Sequence, residues 1–248
     1  MSDTNTKPTA LVTGANKGIG LEVARQLAER GFTVWLGCRD EVRGVAAAKE
    51  LANAGDVRFV QLDVTDDASV RAAAARIRKE TSALDVLVNN AGVLLDGDAL
   101  PGTLPLEVVQ RTFDVNFYGP LRVTQEFLPL VKSAKDGRIV NVSSTMGSLT
   151  ALMDPNSVLA PLLPQFPTFA YAASKTALNA LTGWLAVELA GTPIKVNTLC
   201  PGYNDTDLNH HAGNLHPSEG AKVVVRAATL PADGPSGAFL DANGTVGW

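Results

Sequence analysis

Cysteine is close to missing from this chain. Only Cys38 and Cys200 occur, with no Cys-x-x-Cys pair and no histidine beside either at ligand spacing, which argues against a disulfide framework or a thiolate zinc site. Both are expected to be buried at strand ends. Histidine is as scarce: His210, His211 and His216 fall in one loop-like stretch, and zinc would need converging ligands that are not found, so no metal site is expected. Excess positive charge is lacking too. With 21 Lys and Arg against 25 Asp and Glu, a net charge of −4 and no basic run, the chain has neither a nucleic-acid footprint nor a polybasic membrane patch. No apolar run is long enough to span a bilayer, and Met1 to Pro8 is polar, without the apolar core of a signal peptide. A cytoplasmic protein with small-molecule partners is the expectation. The Asn-x-Ser/Thr matches at Asn141, Asn204 and Asn243 have no secretory context and read as chance.

What is present is rhythm. The chain is 46% hydrophobic over 248 residues, without an internal linker, repeat or low-complexity stretch, so a single domain over 1–248 is expected. Short apolar runs at 9–13, 32–37, 57–62, 86–88, 138–142, 194–199 and 238–240 read as strands. Helical patterns alternate with them: Gly18 to Gly31, Asp40 to about Gly55, about 66–81, Leu106 to Tyr118, Leu121 to Lys132, about 168–190, and one from Pro217. Gly119-Pro120 is read as dividing two of these helices. Strands alternating with helices predict an α/β fold, a Rossmann-like doubly wound parallel sheet of about seven strands with helices on both faces. The rhythm breaks at 148–168, where four prolines among hydrophobics predict an inserted loop, and again in a loop over 201–216.

Three constellations carry chemistry. Gly14, Gly18 and Gly20 sit between the first strand and first helix, where glycines permit a tight turn and let a pyrophosphate reach backbone N–H groups. The spacing is Gly-x3-Gly-x-Gly rather than the common dinucleotide fingerprint, and any strand-to-helix turn favours glycine. At the end of the second strand, Arg39 and the glycine-loop Lys17 are two cations that can converge on a ribose 2′-phosphate, which favours NADPH. Asp40 is arguable as a ribose acid for NADH, but it also serves as the N-cap of the next helix. Tyr171 and Lys175 stand four apart in a helical stretch and therefore on one face. An ammonium held near the phenol would draw its pKa from about 10 toward the range of a general acid. Alone, the pair is equally two surface residues of an amphipathic helix.

Thr13-Gly-x3-Gly-Ile-Gly20, Asp63 after the third strand, Asn89-Asn-Ala-Gly92, Asn116 before Gly119, Ser143-Ser144 after the fifth strand, Tyr171-x3-Lys175 and Pro201-Gly202 stand in the order of the short-chain dehydrogenases/reductases. The chain resembles that family over nearly its whole length, and within it the NADPH-dependent carbonyl reductases. The resemblance implies a ketone or aldehyde reductase in which Tyr171 donates a proton to the carbonyl oxygen. Lys175 then lowers the pKa of Tyr171 and binds the nicotinamide ribose, Ser144 hydrogen-bonds the same oxygen, and Asn116 supports a water relay. Ser143 remains an alternative to Ser144. For NADPH the resemblance assigns Gly14, Asn16, Lys17, Gly18, Ile19 and Gly20 to the turn and Arg39 to the phosphate. It assigns Asp63 and Val64 to the adenine, Asn90 and Gly92 to the adenosine ribose, and Pro201, Gly202 and Thr206 to the nicotinamide.

Two departures bear on the substrate. Ser144 and Tyr171 are 27 positions apart, about twice the usual separation, so 148–168 is an insertion beside the cleft. By analogy with carbonyl reductases it covers the helix surface used in tetramers, implying a monomer or homodimer. Asn204 stands where relatives place an apolar β-branched residue, and it either reads a polar substrate group or is a tuned position. With Leu94, Leu95, Met146, Met153, Phe166, Tyr203 and Leu208 it makes up the expected pocket. The competing functions are a non-catalytic NADPH-sensing regulator and a reductase of another double bond, such as an enone or quinone. A sugar-nucleotide epimerase on the same fold would need a longer chain.

Overall fold

The computed structural model describes residues 7–248; the first six residues of the polar N-terminal stretch lie outside it. The strands are β1 (Thr9–Thr13), β2 (Thr33–Cys38), β3 (Val57–Gln61), β4 (Val86–Asn89), β5 (Arg138–Val142), β6 (Lys195–Leu199) and β7 (Ala238–Leu240). They form one parallel sheet in the order β3-β2-β1-β4-β5-β6-β7, the doubly wound arrangement expected. The helices are α1 (Gly18–Glu29), α2 (Glu41–Glu50), α3 (Asp67–Arg78), α4 (Leu106–Phe113), α5 (Gly119–Lys132), α6 (Leu149–Met153), α7 (Phe169–Glu188) and α8 (Pro217–Ala228).

Side chains alternate across a strand, so each strand feeds two cores. Ala10 and Val12 of β1 join Val34, Leu36, Val86 and Val140 in the layer under α1, α2 and α8, whereas Leu11, Trp35, Leu87 and Ile139 face α3, α5 and α7. Both layers are apolar because helices cover both faces. Cys38 and Cys200 are buried, at the end of β2 and just beyond β6.

Three details differ from the pattern expected. Gly119-Pro120 does not separate two helices: α4 runs through a π turn at Asp114–Tyr118 directly into α5, and Pro120, which has no N–H to donate, follows immediately on that turn. The helix after Asp40 ends at Glu50, five residues before Gly55, in a series of turns. The 148–168 segment is not all loop, since Ser148 caps α6 by accepting from the Ala151 N–H at 3.0 Å. Trp184 and Val187 on α7 remain exposed, so the insertion does not cover that part of the helix surface. Among the described residues no helix is long and apolar enough to cross a membrane.

Phe127 is fully enclosed between α5 and the sheet. Phe127→Ala is expected to lower stability by about 3–5 kcal/mol, as transfer and cavity costs add, measured as a lower urea midpoint at unchanged slope.

Candidate active site

The sheet gathers its chemistry at one end. The C-termini of β1, β4, β5 and β6 open on the same edge, and the strand order reverses between β1 and β4, the crevice where doubly wound sheets bind ligands. At the end of β1, Gly14 adopts φ +62°, and a Cβ there would lie 2.8 Å from the Ala91 Cα, so the turn can pack on the end of β4 only with glycine. Thr13 Oγ1 accepts from the Asn90 and Ala91 N–H groups, each at 3.0 Å. The Asn90 side chain donates to the carbonyls of Thr13 (2.9 Å) and Gly14 (3.2 Å). Its amide N–H₂ thus clamps the glycine turn. Beyond the turn α1 begins with no side-chain cap and no acidic residue in its first turn. Its leading N–H groups are free for an anion. Ile19 packs into the core behind them.

The two cations expected to converge are parted. Arg39 lines a recess with Asp63, Asp66 and Ser69, whereas Asn16 and Lys17 line a second one with Arg43, Glu50 and Asp207. Lys17 is ion-paired with Asp207, which is held below the usual carboxylate range by that ammonium. Arg43 is an addition to the expected set. Its signal in the sequence is its place four residues after Arg39, one turn into the helix that Asp40 opens. Asp40 is the N-cap, accepting from the Arg43 N–H at 2.9 Å. Asp63 Oδ1 accepts from Thr65 N–H (2.9 Å) and Oγ1 (2.7 Å), closing a turn at the edge of the first recess. Val64 turns instead into the core, where a Cβ on Gly119 would stand 2.9 Å from its Cγ2.

Tyr171 and Lys175 project from the first turns of α7. The Lys175 ammonium is buried, donates to the Val142 carbonyl at 2.8 Å and lies 5.6 Å from the centre of the Tyr171 ring. Gly92 lies beside it, a Cβ there standing at van der Waals distance, 3.5 Å, from Nζ. Burial pushes Lys175 down to about 8, with the neighbouring Cys200 opposing. Burial also pushes the Tyr171 phenol up to about 12, reinforced by Cys200 and opposed by the Ser144 hydroxyl. Withdrawal of the ring from water disfavours phenolate and so opposes the downward pull expected of Lys175.

The adjacent serines separate cleanly. Ser143 is buried and turns its hydroxyl to the Lys175 carbonyl at 3.4 Å, while Ser144 is half-buried beside the phenol and accepts from the Met146 N–H at 3.2 Å. Asn116, in the π turn, is fully enclosed. It accepts from the Val93 N–H (2.8 Å) and donates to the Val93 carbonyl (2.9 Å) and Ser174 Oγ (3.0 Å), so its side chain ties the segment beyond β4 to α7.

The cleft walls are less enclosed than expected. Leu94, Leu95, Met146 and Leu208 are half-buried, but Met153 and Phe166 in the insertion and Tyr203 in the later loop are exposed. The Asn204 side chain meets protein partners. Its amide donates to the Pro201 (2.9 Å) and Gly202 (3.0 Å) carbonyls and its oxygen accepts from the Gly220 N–H (3.1 Å), so the side chain is a buried bracket between this loop and α8. Thr206 lies over the glycine turn, its Cγ2 3.4 Å from where a Gly18 Cβ would stand. His210 and His211 occupy left-handed backbone, and His211 is raised by Asp205 and then Asp207. No cluster of metal-ligating side chains exists among the described residues.

Residues 8–215 match the family model described as short chain dehydrogenase, and the chain belongs to that family. It is 36% identical to mouse carbonyl reductase [NADPH] 1, with 98% of this chain and 99% of that protein covered. Identity to the (+)-neomenthol dehydrogenase of Arabidopsis thaliana is also 36%, over 93% of this chain and 95% of the relative. Among solved structures, the NADPH-bound carbonyl reductase from chicken fatty liver superposes with a TM-score of 0.84 at 30% identity, covering 98% of this chain and 99% of that one.

A buried ammonium with one carbonyl partner is costly. Lys175→Met is expected to raise the denaturant midpoint at pH 7. The native pKa lies below that of the unfolded chain, so the unfolded state binds the extra proton between about 8 and 10.5. The gain should be full below pH 8 and vanish as the pH rises through 10.5, which paired urea titrations would check.

Proposed function

We propose that this protein is an NADPH-dependent reductase of ketone or aldehyde carbonyls, reversible toward secondary-alcohol oxidation. One observation carries the reading. The Tyr171 phenol stands next to the Ser144 hydroxyl, and the buried Lys175 ammonium, bonded to the Val142 carbonyl, lies 5.6 Å from the centre of the phenol ring.

The chain's own residues fit NADPH. The uncapped start of α1 offers N–H groups to the pyrophosphate, and the turn around Gly14 has no Cβ to block it. Arg43 and Lys17 supply cations for a 2′-phosphate from one recess, with Arg39 and Asp63 in the adjoining one at the adenine end. Lys175 spends one N–H on Val142 and has two left for ribose hydroxyls. When bound, the nicotinamide supplies a hydride.

In the reduction, Ser144 and Tyr171 hydroxyls both point hydrogen-bond donors at the carbonyl oxygen and polarise it. Tyr171 then gives its proton to the oxygen as negative charge develops there. Lys175 favours the phenolate left behind, an interaction that strengthens as charge appears and so acts on the transition state more than on the ground state. Asn116 holds Val93 and Ser174, fixing the segment beyond β4 against the helix that carries the pair.

Tyr171→Phe deletes only the acidic O–H and is expected to abolish NADPH-dependent turnover while leaving NADPH affinity intact. The measurement is loss of NADPH absorbance against a panel of ketones, aldehydes, enones and quinones. Retained ketone reduction by the variant overturns the mechanism, and a wild-type protein that binds NADPH yet oxidises it with no member of the panel is a sensor. Arg43→Ala is expected to weaken NADPH binding by roughly tenfold or more, the loss of a charge-assisted contact, and to leave NADH binding unchanged. Equal losses for both cofactors in fluorescence titrations would remove Arg43 from the phosphate site.

A further inference from the structure

Helix α7 carries both Tyr171 and Lys175, yet it lacks a local start signal. Its N-cap, Thr168, makes no side-chain cap hydrogen bond, and its first turn holds no acidic residue. The missing cap comes from far away in sequence. Asp98, in the segment between β4 and α4, sends one carboxylate oxygen to the Ala170 N–H and the other to the Tyr171 N–H, each at 2.9 Å. The first of these oxygens also accepts from the N–H of Ala99 at 2.9 Å, and the Ala99 carbonyl accepts from the Phe169 N–H at 3.4 Å.

We infer that Asp98 is a positioning residue for Tyr171, a cap delivered from a distant segment that sets where the phenol stands relative to Ser144. Orphan N–H groups at a helix start attract a carboxylate both as acceptor and as charge. Here one carboxylate meets two of them at once, and one belongs to Tyr171 itself. The helix start is thereby tied to the segment that leaves β4, the same segment whose Val93 is pinned by Asn116. Leu94 and Leu95 lie on that segment too. The negative charge sits at the positive end of the helix, bonded to the backbone N–H of the residue that bears the phenol. The other groups bearing on the phenol are Lys175, Cys200 and Ser144, and substitutions at Asp98 leave them in place.

The inference rests on Tyr171 being the acid, and the test separates the two. Asp98→Ala removes both acceptors, and Asp98→Asn keeps one oxygen while setting an N–H₂ against the second donor. In both variants kcat for carbonyl reduction is expected to fall roughly 10- to 100-fold, the scale of a misplacement of about 1 Å, with the Kd for NADPH within about twofold of wild type. The alkaline limb of the kcat–pH profile should move to lower pH, because a negative charge beside the phenol is gone. Amide hydrogen exchange at Ala170 and Tyr171 should quicken whether or not any substrate has been found. Unchanged exchange and an unchanged profile in folded variants overturn the inference. So does a loss of activity that only tracks the fraction of folded protein, which would make Asp98 a stability cap. A wild-type protein without any reductase activity but with accelerated exchange in the variants overturns the functional reading and leaves the cap standing.

Discussion

The hydrogen bond from Lys175 Nζ to the Val142 carbonyl is the contact on which the site depends. An ammonium buried with a single neutral acceptor is unfavourable, and the fold tolerates it because everything around it is fixed by other means. Ser143 turns to the Lys175 carbonyl, Asn116 grips Ser174, and the Asn179 amide reaches the Gly147 carbonyl at 3.0 Å. Successive inward positions of α7 are thus bonded to the π turn, to the end of β5 and to the turn beyond Ser144. The rigidity that confines the lysine also aligns the phenol.

Below that level the same helix is anchored by buried polar side chains at one height of the sheet. Asn89, Asn141 and Thr198 are register partners across β4, β5 and β6. Asn89 donates to Asn141 at 2.8 Å, Asn141 to Thr182 at 2.8 Å, and Thr182 meets Thr198 at 2.5 Å. A polar row inside an apolar layer tolerates no slip of the helix along the sheet, since every displaced partner would be left buried and unpaired. The lower half of α7 is held by this row and the upper half by the residues of the site.

How much of this is legible in the sequence depends on the range of each interaction. Strands such as Arg138–Val142 and Ala238–Leu240 announce themselves by apolar runs between breakers, and the glycine turn and the Tyr171–Lys175 spacing are local patterns. The doubly wound parallel sheet is implied by alternation and handedness. Partnerships between distant polar groups leave no such trace. Asp207 lies 190 positions from the Lys17 it pairs with, and Asp98 lies 72 from Ala170. Asn204, an odd residue in its motif, invites a ligand role, yet its amide is consumed by Pro201, Gly202 and Gly220. The phenol's charge state escapes a sequence reading for a related reason. Spacing reveals a nearby ammonium but not the burial that opposes it. Gly119-Pro120 misleads because the helix passes it by way of a π turn, which no local pattern announces.

The π turn at Asp114–Tyr118 has a consequence for how this protein can be altered. Such a turn is one residue longer than the α-helical turn it replaces, and it carries Asn116 to Val93 and Ser174. Excising a residue would yield a smoother rod, but would swing the downstream helix by about 100°, dragging Gly119 off the wall of Val64 that only a residue without a Cβ can approach. Designers seeking a sturdier version by regularising its helices should leave that irregularity alone.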